Sequence, residues 1–438
     1  MDRAPGGLRV AYDANAPLNG EARALLAATP LDAFLASRCS SGQPSKVVVL
    51  DADDTVAFAM DTLARHAISS APVLSSDSST TAPFYGFVDV PTIVDAFYKG
   101  DYLSTPRYAR SDRPGAHQPA PPPRYTQTSV SLGAYPTPLR EDLVEPAPAT
   151  GMLGRMEMLN SLGPKFAQML LRHVSPGRDG ELLFRAALRH SLLDTITSGF
   201  LRPPRAGVEA CHRLAVFEFA SVGASDASDP CAPAPVTVTH VISQTDVIRW
   251  TLKQADAGRL GVLPRATLGS IGAAPKHVVC VTTDETALDA YAAMLSAGLP
   301  AAGVLNAPVQ HGGVLVGALL LDDLRTVSAD TLGCLALPVG ALKHNVVWSS
   351  AAHRPSTTDG PSPPSRRDVL MQRAALVALR PTDTLGEALH LLVAKKARAV
   401  FIVDDASHPL GILTPTDVLR LLAEESGRRV GDVSLAPT

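Results

Sequence analysis

The stretch GILTPTDVL, residues 411–419, places two hydroxyl groups and a carboxylate where an apolar strand gives way to a helix. Thr414, Thr416 and Asp417 carry side-chain oxygens of the kind that cap a helix by accepting from its free backbone N–H groups. The carboxylate could equally accept hydrogen bonds from both hydroxyls of a ribose, in a charge-assisted contact. The residue types therefore leave two roles open for Asp417, and one role does not exclude the other.

The same strand-to-helix junction occurs elsewhere in the chain. VISQTDVI places Ser243 and Asp246 where the first stretch has its hydroxyl and its carboxylate. VGALLLDDL places Asp323 at the carboxylate position, with Leu320 instead of the hydroxyl. Because the carboxylate recurs at the same place, the pattern favours ribose binding in addition to capping for Asp417 and Asp246.

Each junction closes a unit with the element order β-α-β-β-α, judged from the spacing of apolar residues. The unit is clearest over residues 375–425, and it recurs over residues 277–327 and 46–98. A further copy is split by insertions into HSLLDTITSGFL, CHRLAVFEF and VTHVISQTDVIRWTL. Recurrence of one supersecondary unit is typical of repeat proteins. The sequence therefore predicts an α+β fold of four repeats.

The segments between the repeats are rich in Pro and Ser. Such segments bury too little apolar area to offset the entropy of ordering, so we expect disordered linkers. An apolar helix within residues 152–174 is expected to pack on repeat two or, as an alternative, to bind a partner. The predicted organisation is an N-terminal extension (1–45), repeat one (46–100), a Pro-rich linker (101–150), the helix with interrupted repeat two (151–254), repeat three (265–330), a Ser/Pro-rich linker (349–367) and repeat four (368–426).

The repeats resemble cystathionine-β-synthase (CBS) domains, and the chain as a whole resembles the γ regulatory subunit of AMP-activated and sucrose-non-fermenting-related protein kinases. The likeness is carried by CHRLAVFEF with VTHVISQTDVIRWTL, and by ARAVFIVDD with LGILTPTDVL. It implies two tandem CBS pairs (Bateman modules), with the sheets packed within each pair and the pairs joined in a disk. It also implies a non-catalytic subunit that binds AMP, ADP or ATP in its clefts and associates with the catalytic and β-type subunits of a kinase.

The resemblance also implies roles for individual residues. His212 and Arg213 match a pair that contacts nucleotide phosphates, and Arg398 matches the Arg of the equivalent pair in repeat four. Thr286 and Thr384 match positions that contact adenine, although a Thr at a helix start is also a good cap. The candidate nucleotide-binding residues are Asp417, Thr414, Thr416, Asp246, Ser243, Asp323, His212, Arg213, Arg398, Thr286 and Thr384.

Repeats one and three depart from the family pattern. In repeat one, Thr92 stands at the carboxylate position, Asp89 stands at the hydroxyl position, and Ser69 replaces a phosphate-binding Arg. In repeat three, Leu320 replaces the hydroxyl that precedes Asp323. We therefore expect at most two competent clefts.

Composition and motifs argue against other functions. The net charge is −3, with 39 basic and 42 acidic residues and 5% aromatics, which is unlike a nucleic-acid-binding protein. No apolar run reaches the roughly 18 residues of a membrane span. P-loop and kinase motifs are absent, and the histidines form no metal motif. The five widely spaced cysteines favour a reducing compartment, so we expect a cytoplasmic or nuclear protein without a cofactor.

Two further interpretations stay open at this point. The chain could be a stand-alone CBS-pair protein that binds adenosyl ligands and regulates a different enzyme. It could also be a scaffold whose nucleotide sites have decayed. A kinase partner would distinguish the first interpretation from the γ-type subunit, and a nucleotide titration would distinguish the second.

Overall fold

The structure of the protein, a computed structural model, describes most of the four predicted repeats. The described residues are 13–38, 47–66, 68–75, 84–99, 152–174, 190–202, 211–219, 236–342, 376–425 and 427–435. The two predicted linkers, residues 101–150 and 349–367, lie outside these ranges. Within them, no helix is both long enough and apolar enough to cross a membrane.

The strands form four small sheets. The strands are β1 (Leu50–Asp51), β2 (Ser70–Leu74), β3 (Phe84–Asp89), β4 (Arg213–Phe219), β5 (Val236–Ser243), β6 (Cys280–Thr282), β7 (Ala301–Leu305), β8 (Leu315–Leu320), β9 (Ala378–Leu379), β10 (Val400–Val403) and β11 (Pro409–Leu413). The sheets are β1-β2-β3, β4-β5, β6-β7-β8 and β9-β10-β11. We call each sheet with its flanking helices a unit and number the units one to four in chain order.

Helices flank every sheet. The α-helices are α1 (Gly20–Ala28), α2 (Leu31–Arg38), α3 (Val56–Arg65), α4 (Val90–Lys99), α5 (Met152–Ala167), α6 (Leu171–Val174), α7 (Leu192–Asp194), α8 (Gln244–Asp256), α9 (Ala287–Ser296), α10 (Leu385–Ala394) and α11 (Pro415–Ala423). A π-helical turn, Thr195–Phe200, extends α7. Unit three departs from the predicted closing α-helix, since Leu321–Thr326 and Ala329–Ala336 are 3₁₀ segments.

Capping side chains explain where several helices begin. Ser243 and Thr414 each form a reciprocal capping box with the aspartate three residues on, at the starts of α8 and α11. Thr384 does the same with Glu387 at the start of α10. Such boxes satisfy two otherwise unpaired groups at a helix N-terminus. The strand-to-helix junctions of the sequence therefore become ordered starts of amphipathic helices.

The sheets pack face to face in two pairs. Sheets one and two share a small core of Phe84, Ala215 and Val238, and the rings of Phe84 and Phe217 meet edge to face with centroids 5.5 Å apart. Sheets three and four share a second core, which includes Leu315 and Phe401. The units are thus paired one with two and three with four.

The helices join the two pairs. The helices of units two and four share one large core with α1, α2 and α7. The helices of units one and three share another with α5 and α6. Each unit therefore contacts one neighbour through its sheet and another through its helices, which closes a ring of four contacts.

Each pair is also tied by an exchange of the segments that precede its units. We call these segments the lead-ins: residues 29–38, 168–174, 265–276 and 335–342. Lead-in one bonds to the start of unit two, from Leu31 N to His190 O (2.8 Å) and from Leu192 N to Thr29 O (2.7 Å). The equivalent bonds of the other lead-ins run from Val56 N to Met169 O, Leu171 N to Asp54 O, Leu268 N to Asp383 O, Leu385 N to Ala266 O, Val339 N to Glu285 O and Ala287 N to Leu337 O. Each lead-in therefore docks on the other unit of its pair.

This exchange corrects the expectation for the helix within residues 152–174. The helix α5 does not pack on unit two; it packs on the segment Ala329–Ala336 and on α3. Asn160 Oδ1 accepts from Gly333 N–H at 2.7 Å, and Leu159 and Phe166 enter the core of units one and three. The reason is that α5 leads into lead-in two, which is exchanged onto unit one.

The close approach of lead-in three to β11 yields a test. A Cβ at Gly411 would lie 2.2 Å from Ala273 O, whereas at Gly317, the corresponding residue of β8, the nearest atom is Val304 Cβ at 3.7 Å. We expect Gly411→Ala to lower the free energy of unfolding by about 1–3 kcal/mol in a urea titration, because backbone must move. Gly317→Ala is the matched control, with a change within about 0.5 kcal/mol. Equal stability of the two variants would contradict this packing.

Candidate functional site

Asp417 divides its two carboxylate oxygens between two tasks. Its Oδ2 accepts from the N–H and the hydroxyl of Thr414, both at 2.8 Å. Its Oδ1 lies 2.5 Å from Nζ of Lys276 in lead-in three, and the carboxylate is 19% exposed. Capping thus uses one oxygen, and the other faces a donor outside the helix.

Asp246 is arranged in a similar way. Its Oδ2 accepts from the N–H and the hydroxyl of Ser243, at 2.9 and 2.7 Å. Nη2 of Arg38, in lead-in one, lies 3.1 Å from the same oxygen, and Nη1 of Arg249 lies 3.2 Å from Oδ1. In both places a cation from an exchanged lead-in reaches the carboxylate that the sequence predicts for ribose.

Units one and three carry altered junctions. Asp323 Oδ2 accepts from Leu320 N–H at 2.9 Å, and the Leu320 side chain has no hydroxyl to donate. In unit one the acid and the hydroxyl have exchanged places, so that Asp89 Oδ1 accepts from the N–H and the hydroxyl of Thr92 at 2.9 and 2.7 Å. This reversal keeps the cap and leaves Asp89 Oδ2 for another partner.

The predicted adenine-contacting threonines lie at helix starts. Thr286 Oγ1 accepts from Asp289 N–H, and Thr384 Oγ1 accepts from Glu387 N–H, both at 3.2 Å. Each threonine also forms a backbone bridge to a lead-in, Thr286 to Pro338 and Thr384 to Thr267. Their hydroxyls therefore cap helices, and an adenine contact stays a prediction.

Arg213 is held by unit one. Its Nη1 donates to Asp89 Oδ2 at 3.0 Å, and its Nη2 donates to Ser69 Oγ at 2.6 Å. Only 12% of the Arg213 side chain is exposed. Burial lowers the pKa of Arg213 and Asp89 opposes this change, which keeps a guanidinium charge tolerable in the interior. The phosphate-contacting Arg of the sequence prediction therefore already has a carboxylate partner.

Arg398 is held by unit three in the same manner. Its Nε donates to Asp322 Oδ2 at 2.7 Å, and Nη2 of Arg325 lies 3.5 Å from Asp322 Oδ1. Burial alone would raise the pKa of Asp322, but Arg398 and Arg325 hold it below its ordinary value. Asp322 and Arg398 both influence the titration of Arg213, so the two ion pairs form one charged cluster, which we call the central cluster.

The strand register corrects the alignment of Arg398. In units two and four the ladder is interrupted after Val216 and after Ile402, so these two residues correspond. Counting back four residues along each strand places Arg398 level with His212, not with Arg213. The short motif alignment was therefore wrong by one residue, because it ignored the position of the bulge.

His212 and Thr416 connect the central cluster to the starts of α8 and α11. His212 O accepts from Gln244 N–H at 3.1 Å, and Thr416 Oγ1 donates to Gln244 Oε1 at 3.0 Å. Loss of water around the imidazole, followed by the nearby Arg213, lowers the pKa of His212, while the residue keeps an exposed face. His212 is therefore neutral at pH 7 and offers hydrogen bonds, not charge, to a ligand.

Several residues of the site were missed in the sequence. Asp322 could have been noticed, because it forms an acidic pair with Asp323. Lys276 and Arg38 carry no such signal, since they lie in lead-ins whose exchange is not visible in the sequence. Across the part of the chain that the structure describes, no group of three or more His, Cys, Asp or Glu is placed to hold a metal ion.

Comparison with known proteins supports a CBS fold. Residues 367–424 match the model of the CBS domain family, so the chain contains a CBS domain there. No curated protein matches the chain. The structure resembles that of a Methanocaldococcus jannaschii protein described as a candidate archaeal homologue of the AMP-activated kinase γ subunit, with a TM-score of 0.51 and 13% identity over 87% of this chain and 98% of that one.

Two other solved structures match smaller parts of the chain. A conserved protein of Pyrococcus horikoshii is 15% identical over 48% of this chain and 69% of its own, with a TM-score of 0.30. The protein CBSX2, solved in complex with AMP, is 21% identical over 35% of this chain and 94% of its own, with a TM-score of 0.24. At these identities the similarities concern the fold alone.

The depressed pKa of Asp322 predicts a pH dependence. Its ionised form is favoured by folding, so its contribution is complete above the ordinary pKa of 3.8 and is lost as pH falls through the lower folded value. We expect Asp322→Asn to lower the free energy of unfolding by about 1–3 kcal/mol at pH 7 and to differ progressively less from the original protein below pH 4.

Urea titrations between pH 7 and pH 3 measure this difference. Asp405→Asn is the matched control, because the Asp405 carboxylate pairs with Arg380 at the surface and is 88% exposed. Exposed ion pairs contribute little to stability. A difference between Asp322→Asn and the original protein that stays constant with pH would contradict the assignment.

Proposed function

We propose that the chain is a non-catalytic regulatory subunit of four CBS repeats in two pairs, of the γ type that serves AMP-activated and sucrose-non-fermenting-related kinases. Its proposed ligand is an adenine nucleotide, bound where α11 begins and, second, where α8 begins. The fold similarity over most of the chain supports this function, as does the pairing of units through sheets and exchanged lead-ins.

The geometry of Asp417 is the observation that carries the proposal. The cap is completed by Oδ2 alone, so Oδ1 can accept from an external donor without loss of the helix start. The ammonium group of Lys276 marks where such a donor fits. A ribose hydroxyl can take that position if Lys276 turns away, and Thr416 precedes Asp417 in the first turn of α11.

Ligand binding at this position has a direct route to the neighbouring unit. Lys276 belongs to lead-in three, whose N–H at Lys276 donates to Leu410 O at 2.9 Å. A ligand that replaces Lys276 on Asp417 therefore acts on a segment shared by units three and four. The ligand shifts the equilibrium between two arrangements of units three and four only by its difference in affinity for them. A kinase that binds one arrangement is therefore bound more or less tightly when the ligand is present.

A scaffold with decayed nucleotide sites is the second candidate function. It is favoured by the ion pairs of Arg213 with Asp89 and of Arg398 with Asp322, which occupy the cations proposed for phosphates. A scaffold needs only the surfaces that bind its partners.

A pull-down with the full chain tests for the kinase catalytic and β-type subunits. Recovery of a different enzyme without a kinase would instead support the stand-alone CBS-pair protein.

Titration with a fluorescent ADP analogue tests the nucleotide site. We expect saturable binding, and we expect Asp417→Ala to weaken it by about 10-fold or more, because a charge-assisted hydrogen bond contributes about 1.5–3 kcal/mol. The matched control is Asp194→Ala, which removes the same kind of capping box at α7, where Asp194 Oδ2 accepts from the N–H and the hydroxyl of Ser191 at 3.3 and 2.7 Å. We expect Asp194→Ala to bind the analogue normally.

Two results would contradict the proposed site. Absence of saturable binding up to millimolar analogue would favour the decayed scaffold. Unchanged affinity in a folded Asp417→Ala protein would restrict Asp417 to capping.

A further inference from the structure

We propose that Asp89 and Asp322 determine charge selectivity at the central cluster, so that this protein binds adenine nucleotides through their nucleoside half and gains little from their phosphates. The inference rests on the proposed function, since it concerns the ligand class of the same clefts. Neither aspartate belongs to the residues that the family resemblance assigns to a ligand. Their role follows from where the structure places them.

The backbone at Arg213 and at Arg398 runs next to the strand-to-helix junctions that hold Asp246 and Asp417. Arg213 pairs across the ladder with Ser243, the residue that caps α8 and accepts from Asp246 N–H. Arg398 precedes β10 by two residues, and Val400 pairs with Leu413, which precedes Thr414, the cap of α11. A nucleotide whose ribose lay on Asp246 or Asp417 would therefore extend its phosphate toward one of these guanidinium groups.

The terminal nitrogens of Arg213 are already used by unit one. Nη1 donates to Asp89 and Nη2 donates to Ser69, and both partners are within 3.0 Å. A phosphate binds Arg best through two parallel hydrogen bonds from such a pair of nitrogens. Each terminal nitrogen keeps a second N–H. A phosphate bound there would therefore share the guanidinium group with Asp89 and Ser69, and Asp89 would offset much of the charge that attracts it.

Asp322 plays the corresponding part in unit three. It accepts from Arg398 Nε through Oδ2 and faces Arg325 through Oδ1, so each of its oxygens meets a guanidinium group. Only 17% of the Asp322 side chain is exposed. Displacing it would leave a carboxylate with little water to replace its partners, which is costly in the interior.

The units from which the two carboxylates come also indicate that Asp89 and Asp322 serve to offset the charge of the arginines. Asp89 and Asp322 come from units one and three, whose own junctions are altered, and each holds an arginine of the other unit in its pair. In unit one the reversed cap is what leaves Asp89 Oδ2 available. The units that lack a complete ribose junction thus supply counter-charges to the units that keep one.

The charge balance then decides between ligands. Asp89 and Asp322 offset two of the three positive charges of Arg213, Arg398 and Arg325, so the excess falls from three to one, and His212 is neutral at pH 7. A phosphate monoester carries about −1.5 to −2 charges at pH 7, so it must compete with both aspartates for the arginines. Adenosine has no phosphate and does not compete with the aspartates for the arginines. The original protein should therefore bind AMP and adenosine with similar affinity.

Calorimetric titration of the full chain with AMP and with adenosine tests the inference. We expect the two affinities to agree within about 3-fold in the original protein. In the double variant Asp89→Asn/Asp322→Asn we expect AMP to bind about 10-fold more tightly or better, with adenosine unchanged, because the arginines lose their competing charges. The substitutions keep side-chain shape, and Asn is itself a good N-cap at residue 89. Asp405→Asn, at an exposed pair, is the control and should leave both affinities unchanged.

A second measurement uses inorganic phosphate in place of a nucleotide. We expect phosphate to raise the thermal midpoint of Asp89→Asn/Asp322→Asn by a few degrees more than that of the original protein, since a ligand stabilises the state that binds it. The measurement with inorganic phosphate does not depend on recognition of adenine. It therefore separates failure of the selectivity inference from failure of the proposed function.

Binding of AMP about 10-fold more tightly than adenosine by the original protein would overturn the inference, as would a double variant whose preference and response to phosphate are unchanged. If neither adenosine nor AMP binds any variant but phosphate stabilises the double variant selectively, the proposed nucleotide function fails and the role of the aspartates in excluding phosphate stands.

Discussion

The ion pair between Arg213 and Asp89, with its counterpart between Arg398 and Asp322, is the interaction on which the centre of the molecule depends. Each pair joins an arginine in or just before a strand of one unit to the strand-to-helix junction of its partner, at 3.0 and 2.7 Å, and all four side chains are mostly buried. A buried guanidinium without a counter-charge would be strongly destabilising. The carboxylates of units one and three therefore stabilise the meeting of the four units at their centre.

A carboxylate with two separate tasks is the second recurring device. At Asp417 one oxygen completes a capping box and the other meets Lys276. Asp246 shows the same box with Arg38 nearby. Both cations belong to exchanged lead-ins, so the groups suited to a ribose are also the groups that fasten one unit to the next. Ligand binding and pairing of units thus draw on the same atoms.

Local features of the fold could be predicted from the sequence, and contacts between distant segments could not. The junction GILTPTDVL indicated a strand, a turn and a capped helix, and these are present as β11 and α11. The exchange of lead-ins left no trace in local patterns, so α5 was assigned to the wrong unit. The bulge after Ile402 likewise shifted Arg398 by one residue relative to the motif. Charges such as Asp89 and Arg213 meet across 124 residues, which only the packing of units determines.

A double-mutant cycle on Asp89 and Arg213 tests the central claim most directly. The free energy of unfolding would be measured in urea for the original protein, Asp89→Asn, Arg213→Met and the double variant, at pH 7 and low ionic strength. The account predicts a coupling free energy of about 1–3 kcal/mol, with the double variant more stable than the sum of the single losses implies. A coupling free energy indistinguishable from zero would show that the two residues do not hold one another, and it would contradict the account.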